Sequence, residues 1–196
     1  RVQILSSYLS KLTKLRILNL SLEGSVDLDD QGILSLASIF PNLINLTRLS
    51  LDVSGYTIIQ SSAFLELFKS LRAVKTLSDL TLNFSNNIIA HNQNIFETLA
   101  EGLAYLDSLN IKALSLYLYK QSSLGQISEA LGKFTSLKTL VLDFTGRKNM
   151  TAQDLIEISL AMEKLSSLSS FSFISLIITE NQPAITNFIS ALVYII

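Results

Sequence analysis

The side chains that most often carry out catalysis are scarce in this sequence. His91 is the single histidine, and no nucleophile and orienting acid stand in a recognisable catalytic arrangement with it. The chain has no cysteine, which excludes disulfides, thiolate zinc sites and cysteine nucleophiles. It also lacks a glycine-rich phosphate loop, histidines at metal-binding spacing and an acidic calcium-binding loop. We therefore expect no enzyme activity, no cofactor and no metal, and we interpret His91 as a solvated loop residue.

The polar and aromatic residues that remain are suited to recognition. Tyr117 and Tyr119 lie two residues apart, and tyrosine is enriched at the energetic centres of interfaces because it buries a large area at low entropic cost. We predict that a partner contacts the following residues: Tyr117, Tyr119, Arg48, Asp52, Asp79, Asn83, Asp143 and Glu23. Four of them are acids and Arg48 is the single cation, so a basic or polar protein segment is the expected partner. The alternative is that they are ordinary soluble side chains on an exposed sheet.

A repeated eight-residue frame places these side chains. In its clearest copy, Leu137 to Phe144 (LKTLVLDF), positions one, four, six and eight are apolar, which predicts a strand with one buried and one open face. The frame starts at residues 15, 46, 77, 111, 137 and 168, at steps of 31, 31, 34, 26 and 31 residues. One residue, Ser175, breaks the apolar pattern. Steps this regular indicate an internal repeat.

Apolar residues at helical spacing follow or precede each strand frame. We predict a first helix over residues 1–12, a short one near 123–134 and a last one within 181–196, and we expect Pro41 to end the helix before it. N-terminal caps are predicted at three places: Asp29 or Asp30, Asn94 with Glu97, and Thr151 with Asp154. Each unit is thus strand, loop, helix, loop.

Such units bury their apolar faces by stacking on one another. Strands pack about 4.8 Å apart and helices 8–10 Å apart, so the stack bends into an arc with the strands inside. The segments LTKLRILNLSL, LTRLSLDV, LSDLTLNF and FTSLKTLVLDF resemble the leucine-rich repeat signature, and the long helical half of each unit is similar to the ribonuclease-inhibitor-like subclass. This resemblance implies an α/β leucine-rich-repeat solenoid: a horseshoe of about six repeats of roughly 31 residues, with concave parallel strands and convex helices.

The sequence departs from that family at the ninth position of the frame. The family usually has asparagine or cysteine there, where the side chain fixes the loop backbone. Here the position holds six other residues: Glu23, Ser54, Ser85, Tyr119, Thr145 and Leu176. We expect another group to hold these loops, with Asn86 and Asn87 as candidates.

Composition bounds the setting of the chain. We interpret residues 1–196 as a single repeat array cut from a longer chain at both ends, since Arg1 is the first residue and the last repeat is unfinished. No apolar run approaches the roughly 18 residues of a membrane span. A formal net charge of -1 gives no argument for nucleic acid or for an anionic membrane. The absence of cysteine weakly favours an intracellular, cytoplasmic location.

The expected function is a non-catalytic protein-interaction module that binds a partner through its concave strands and adjoining loops. Six strands offer on the order of 400 Å² of concave surface, whereas a standard interface buries about 800 Å² on each partner. Loops or further repeats would therefore have to contribute to the contact. Two alternatives stay open. The chain could be a structural subunit or tail in a large assembly, or an accessory repeat domain of an enzyme whose catalytic part lies outside this segment.

Overall fold

The structure, a computed structural model, describes residues 2–25, 28–55, 58–85, 88–89, 95–118, 124–145 and 150–175. Six α-helices lie within these ranges: Val2–Leu9 (α1), Asp30–Ala37 (α2), Ser61–Leu71 (α3), Ile95–Leu106 (α4), Gly125–Leu131 (α5) and Ala152–Met162 (α6). The strands are Ile17–Ser21 (β1), Arg48–Asp52 (β2), Ile58–Ile59 (β3), Asp79–Asn83 (β4), Ile88–Ile89 (β5), Ala113–Tyr117 (β6), Thr139–Phe144 (β7) and Ser170–Ser175 (β8). A short 3-10 helix covers Phe40–Asn42.

Six of these strands form one parallel sheet. Their spatial order is β1-β2-β4-β6-β7-β8, which is the order of the frames along the chain. The fourth frame position forms one row of register partners across the sheet: Leu18, Leu49, Leu80, Leu114, Leu140 and Phe171. The predicted repeat, its register and its parallel direction are confirmed.

The buried faces of all six repeats share one apolar core. Frame positions four and six of the four central strands are at most 1% exposed, as in Leu80 and Leu82, and the helices present Ile33, Phe64 and Leu103 to the same cluster. Each helix packs against the helices of its neighbouring repeats. The chain is therefore an α/β leucine-rich-repeat solenoid, and the tighter spacing of strands than of helices puts the strands on its concave side.

The two predicted N-terminal caps that lie within the described residues are confirmed. Asp29 is the N-cap of α2 and accepts a 2.8 Å hydrogen bond from the Gly32 N–H. Thr151 and Asp154 form a complete capping box at the start of α6. The prediction that Pro41 ends α2 is wrong, because α2 already ends at Ala37 and Pro41 occupies the first turn of the following 3-10 helix, where its missing N–H costs nothing.

A second, smaller sheet lies between the strands and helices of repeats two and three. Strands β3 and β5, two residues each, pair in parallel, with Ile58 opposite Ile88 and Ile59 opposite Ile89. Periodicity does not predict strands of two residues, so this sheet is a finding of the structure. The predictions for Tyr119, His91, Asn94, Asn86, Asn87 and the helix within 181–196 lie outside the described residues.

Candidate functional site

The open face of the large sheet carries most of the predicted partner residues. We call this face the concave lane and define it by frame positions three, five and seven, all exposed or half-exposed. Its members are Ile17, Asn19, Ser21, Arg48, Ser50, Asp52, Asp79, Thr81, Asn83, Ala113, Ser115, Tyr117, Thr139, Val141, Asp143, Ser170, Ser172 and Ile174. Glu23 is exposed and lies two residues beyond β1, at the rim of the lane.

Parallel register brings the predicted residues into two groups. At the carboxyl ends of the strands, Asp52, Asn83, Tyr117 and Asp143 are consecutive neighbours across four strands. At the opposite ends, Arg48 lies beside Asp79 in the next strand. The Asp79 Oδ2 accepts a 2.9 Å hydrogen bond from the Ser78 hydroxyl.

Three members of the first group hold the loops that follow their strands. The Oδ1 atoms of Asp52, Asn83 and Asp143 each accept a hydrogen bond from the backbone N–H two residues later, at 2.9, 3.0 and 2.8 Å. Such local side-chain bonds fix a turn where regular pairing ends. In these three repeats the side chain at frame position seven therefore holds the loop that follows the strand.

These bonds restrict what the three side chains offer a partner. The Asn83 Nδ2 also donates to the Asp52 Oδ2 at 3.1 Å, and the Asp143 Oδ1 accepts a second bond from the Thr145 hydroxyl at 2.6 Å. Three of the eight predicted partner residues thus have an identified structural role. Tyr117 lies between Asn83 and Asp143 in the row and is its one aromatic member.

The loops that lead from each helix to the next strand form a second surface, which we call the basic edge. It consists of residues 10–16, 38–47, 72–78, 107–112, 132–138 and 163–169, all of which the structure describes. Nine of the chain's fifteen Lys and Arg residues lie there, against two acids, Asp107 and Glu163. The nine are Lys11, Lys14, Arg16, Arg72, Lys75, Lys112, Lys133, Lys138 and Lys164, and every one is exposed.

The backbone of the basic edge is a continuous hydrogen-bonded ladder. The carbonyl of Arg16 accepts hydrogen bonds from the N–H groups of Thr47 and Arg48. The same pair of hydrogen bonds to one carbonyl recurs in each later repeat, down to the carbonyl of Lys138. Hydroxyls add to it, since Thr47 Oγ1 donates to the Arg16 carbonyl at 3.0 Å and Ser169 Oγ donates to the Lys138 carbonyl at 3.3 Å. The cations at frame position two, Arg16, Lys112 and Lys138, therefore lie on one line.

The cations of this edge carry no structural ion pair within the described chain. The salt bridge in the described part of the chain joins Lys69 to Glu66 at 3.3 Å, and both residues belong to α3 and not to the basic edge. Lys11 lies over the ring of Tyr8, 5.3 Å from its centroid. The aspartates differ, because the carboxylates of Asp29, Asp52 and Asp143 accept hydrogen bonds from backbone N–H groups. The nine cations of the edge are exposed.

The formal net charge of -1 does not reveal that the basic residues are concentrated on one edge, because it is a sum over the whole chain. The signal was nevertheless present in the repeat frame. Lys and Arg recur at frame position two, as in Lys112, and five residues earlier, as in Lys133. The edge therefore carries a local excess of positive charge that the net charge of the chain does not reveal.

A shallow cavity of about 410 Å³ opens on the basic edge in the first three repeats, lined by Lys14, Arg16, Asn45, Thr47 and Thr76. Among the described residues, no group of three or more His, Cys, Asp or Glu side chains could hold a metal ion. None of the described helices is long and apolar enough to cross a membrane.

Proteins similar to this chain are found among solved structures. No protein-family model matches the chain, and no curated protein does. Among solved structures, the chain is similar to one titled "Structural Genomics of Caenorhabditis elegans: tropomodulin C-terminal domain", with a TM-score of 0.47 and 13% identity over 98% of this chain and 92% of that one. Since no family is assigned, what the chain does has to follow from its own surfaces.

Proposed function

We propose that the chain is a non-catalytic, intracellular protein-interaction module that binds a polypeptide partner on the concave lane. The observation that carries this proposal is the lane itself. Eighteen side chains from six strands in register, fourteen of them polar, present a continuous surface that is exposed or half-exposed, with one tyrosine near its middle. A surface of this kind suits the side chains of an extended or loop segment of another protein.

Tyr117 is the proposed anchor of that interface. It is half-exposed at the end of β6, and its neighbours in the row, Asn83 and Asp143, are fixed by hydrogen bonds to their own loops. Because these neighbouring side chains are already ordered, binding of a partner costs less conformational entropy. Arg48, Asp79 and Glu23 remain as the charged contacts, while Asp52, Asn83 and Asp143 serve chiefly to hold the rim.

The subclass and the setting are part of the same proposal. Repeats of 26 to 34 residues and convex α-helices of 7 to 12 residues support the ribonuclease-inhibitor-like form of the repeat. We place residues 1–196 in a longer chain, because the lane covers on the order of half the area of a standard interface.

Site-specific photo-crosslinking in cells tests this function. A photoreactive amino acid replaces Ser115, which is half-exposed at the centre of the lane, and in a second variant it replaces Glu66 on the exposed face of α3. We expect a discrete crosslinked protein from position 115 and none from position 66. Addition of Tyr117→Ala to the first variant should abolish the crosslink while the far-ultraviolet circular dichroism stays unchanged.

The opposite pattern would contradict the proposal. A crosslink from position 66 that survives Tyr117→Ala, with none from position 115, would assign binding to the helical side. That result would favour the structural subunit of a large assembly.

A further inference from the structure

We propose that the basic edge docks the chain on the surface of an anionic lipid membrane. This surface is separate from the concave lane and does not depend on the function proposed for it. Nine cations and two acids leave an excess of seven positive charges on loops that join helices to strands. Basic side chains near an anionic leaflet contribute about 1 kcal/mol each, so a few simultaneous contacts give measurable binding.

The helix dipoles account for only part of this excess of cations. A cation stabilises a helix when it lies within the last turn, near the free carbonyl groups. Of the six described helices, only α3 has a basic residue there, and that residue is Lys69, outside the edge. Apart from Arg72 at the C-cap of α3, the cations of the edge lie beyond the helix caps.

The shape of the edge suits a flat partner. The carbonyl ladder aligns the strand starts of all six repeats, over about 24 Å at the usual strand spacing. Lys11 and Lys133 lie five residues before Arg16 and Lys138, and Lys164 holds the same position in the last repeat, five residues before Ser169. Two parallel lines of long, exposed side chains can reach one plane together, as contact with a membrane surface requires.

The chemistry of the edge favours lipid over nucleic acid. Seven of its nine cations are lysines, compact charges that lack the planar fork with which arginine makes bidentate contacts to base edges. The aromatic residues of the edge are buried, namely Phe40 and Phe134. Nucleic-acid bases therefore have no exposed aromatic ring of this edge on which to stack. Ile44 is 62% exposed and Leu12 48% exposed on the same edge, and both side chains can enter the apolar margin of a headgroup layer.

The shallow cavity gives this edge a place for one headgroup. Lys14 and Arg16 supply two positive charges, and the Asn45 Nδ2, which donates one N–H to the Thr13 carbonyl at 2.9 Å, keeps a second N–H. The Thr47 and Thr76 hydroxyls donate to backbone carbonyls and so remain acceptors. A headgroup that carries both an anionic phosphate and an ammonium donor, as phosphatidylserine does, matches this mixture.

Vesicle cosedimentation of the 196-residue chain tests the proposal. The probes are vesicles of phosphatidylcholine alone, the same vesicles with phosphatidylserine, duplex DNA and a poly-glutamate peptide, each at low and high salt. We expect binding to the phosphatidylserine vesicles that high salt weakens, and little binding to phosphatidylcholine. Substitution of Lys112 and Lys138 by glutamine should weaken that binding roughly fivefold for each cation removed.

A charge-matched variant separates the edge from net charge. Gln31→Glu with Gln126→Glu lowers the net charge by the same two units at exposed positions in the first turns of α2 and α5. Binding by this control at close to the original affinity supports the proposal. Three results overturn it: equal weakening in both double variants, no preference for phosphatidylserine, or edge-dependent binding to DNA or poly-glutamate without binding to vesicles.

Discussion

The amide nitrogen of Asn83 donates a 3.1 Å hydrogen bond to the carboxylate of Asp52, its register partner in the neighbouring strand. Each of these side chains also accepts the backbone N–H two residues farther along its own loop. One pair of residues thus links two repeats and fixes two loops. The rim of the concave lane therefore depends on side chains that the sequence also suggests as partner contacts.

This arrangement predicts that Asn83→Ala destabilises the fold. The substitution leaves the Ser85 N–H without its acceptor and the Asp52 carboxylate without its amide, and each such loss costs about 1 kcal/mol. We expect a loss of about 1–3 kcal/mol in the free energy of unfolding, measured by urea denaturation. Asn19→Ala, at an exposed lane position of β1, is the matched control and should change stability by less than about 0.5 kcal/mol.

A double-mutant cycle with Asp52→Ala identifies the coupling between the two side chains. Residues in one hydrogen-bond network show coupling of about 0.5–3 kcal/mol. Strictly additive effects would contradict a direct Asn83–Asp52 bond and leave two independent loop contacts.

The capping box of α6 leads us to predict that Thr151→Ala destabilises the protein more than Thr151→Ser does. Thr151 Oγ1 accepts the Asp154 N–H at 3.2 Å, and the Asp154 Oδ2 accepts the Thr151 N–H at 2.7 Å. Thr151→Ala removes the first bond and should cost about 1 kcal/mol, whereas Thr151→Ser keeps the hydroxyl and should be almost neutral. Amide hydrogen exchange of the first turn of α6 reports the difference locally. Equal protection in the two variants would show that the cap does not hold this helix end.

Periodicity was enough to predict the repeat, its register and its buried face. The reason is physical: apolar side chains at alternate strand positions, such as Leu80 and Leu82, leave one burial solution, and a slip of one residue would expose all of them. The same reasoning placed Arg48, Asp79 and Tyr117 on the open face, where the structure has them.

Side-chain roles and charge positions could not be predicted in that way. Whether Asp52 meets a partner or a backbone N–H depends on the conformation of the turn after β2, and the frame does not encode that conformation. The basic edge was missed because the net charge sums over the whole chain, although its cations recur at fixed positions of the repeat frame. Pro41 shows a related limit: a proline can begin a short 3-10 helix as readily as end an α-helix.

The aromatic cluster beneath the lane predicts a large loss of stability for Phe84→Ala. Phe84 is 1% exposed, meets Phe64 edge-on with ring centroids 5.1 Å apart, and lies 6.1 Å from Phe68. Removal of the ring from so enclosed a site should cost about 3–5 kcal/mol, because the cavity cannot collapse fully. Phe171→Ala, in the partly buried last strand, is the comparison and should cost clearly less. Thermal denaturation of the two variants side by side checks the order, and a reversed order would contradict the burial of Phe84.

We predict that Gly102→Ala destabilises the protein, although a change from glycine to alanine inside a helix usually stabilises it. Alanine is favoured over glycine by about 1 kcal/mol inside a helix, yet a Cβ at Gly102 of α4 would lie 2.3 Å from the Phe68 ring on α3. Separation of the two helices should outweigh the propensity gain, giving a net loss of about 1–3 kcal/mol in urea denaturation. Gly132→Ala is the matched control, since its Cβ would meet chiefly the flexible stem of Lys164 and should be tolerated. Addition of Phe68→Leu to Gly102→Ala should recover part of the loss, and a double variant no better than the sum of the single ones would contradict this contact.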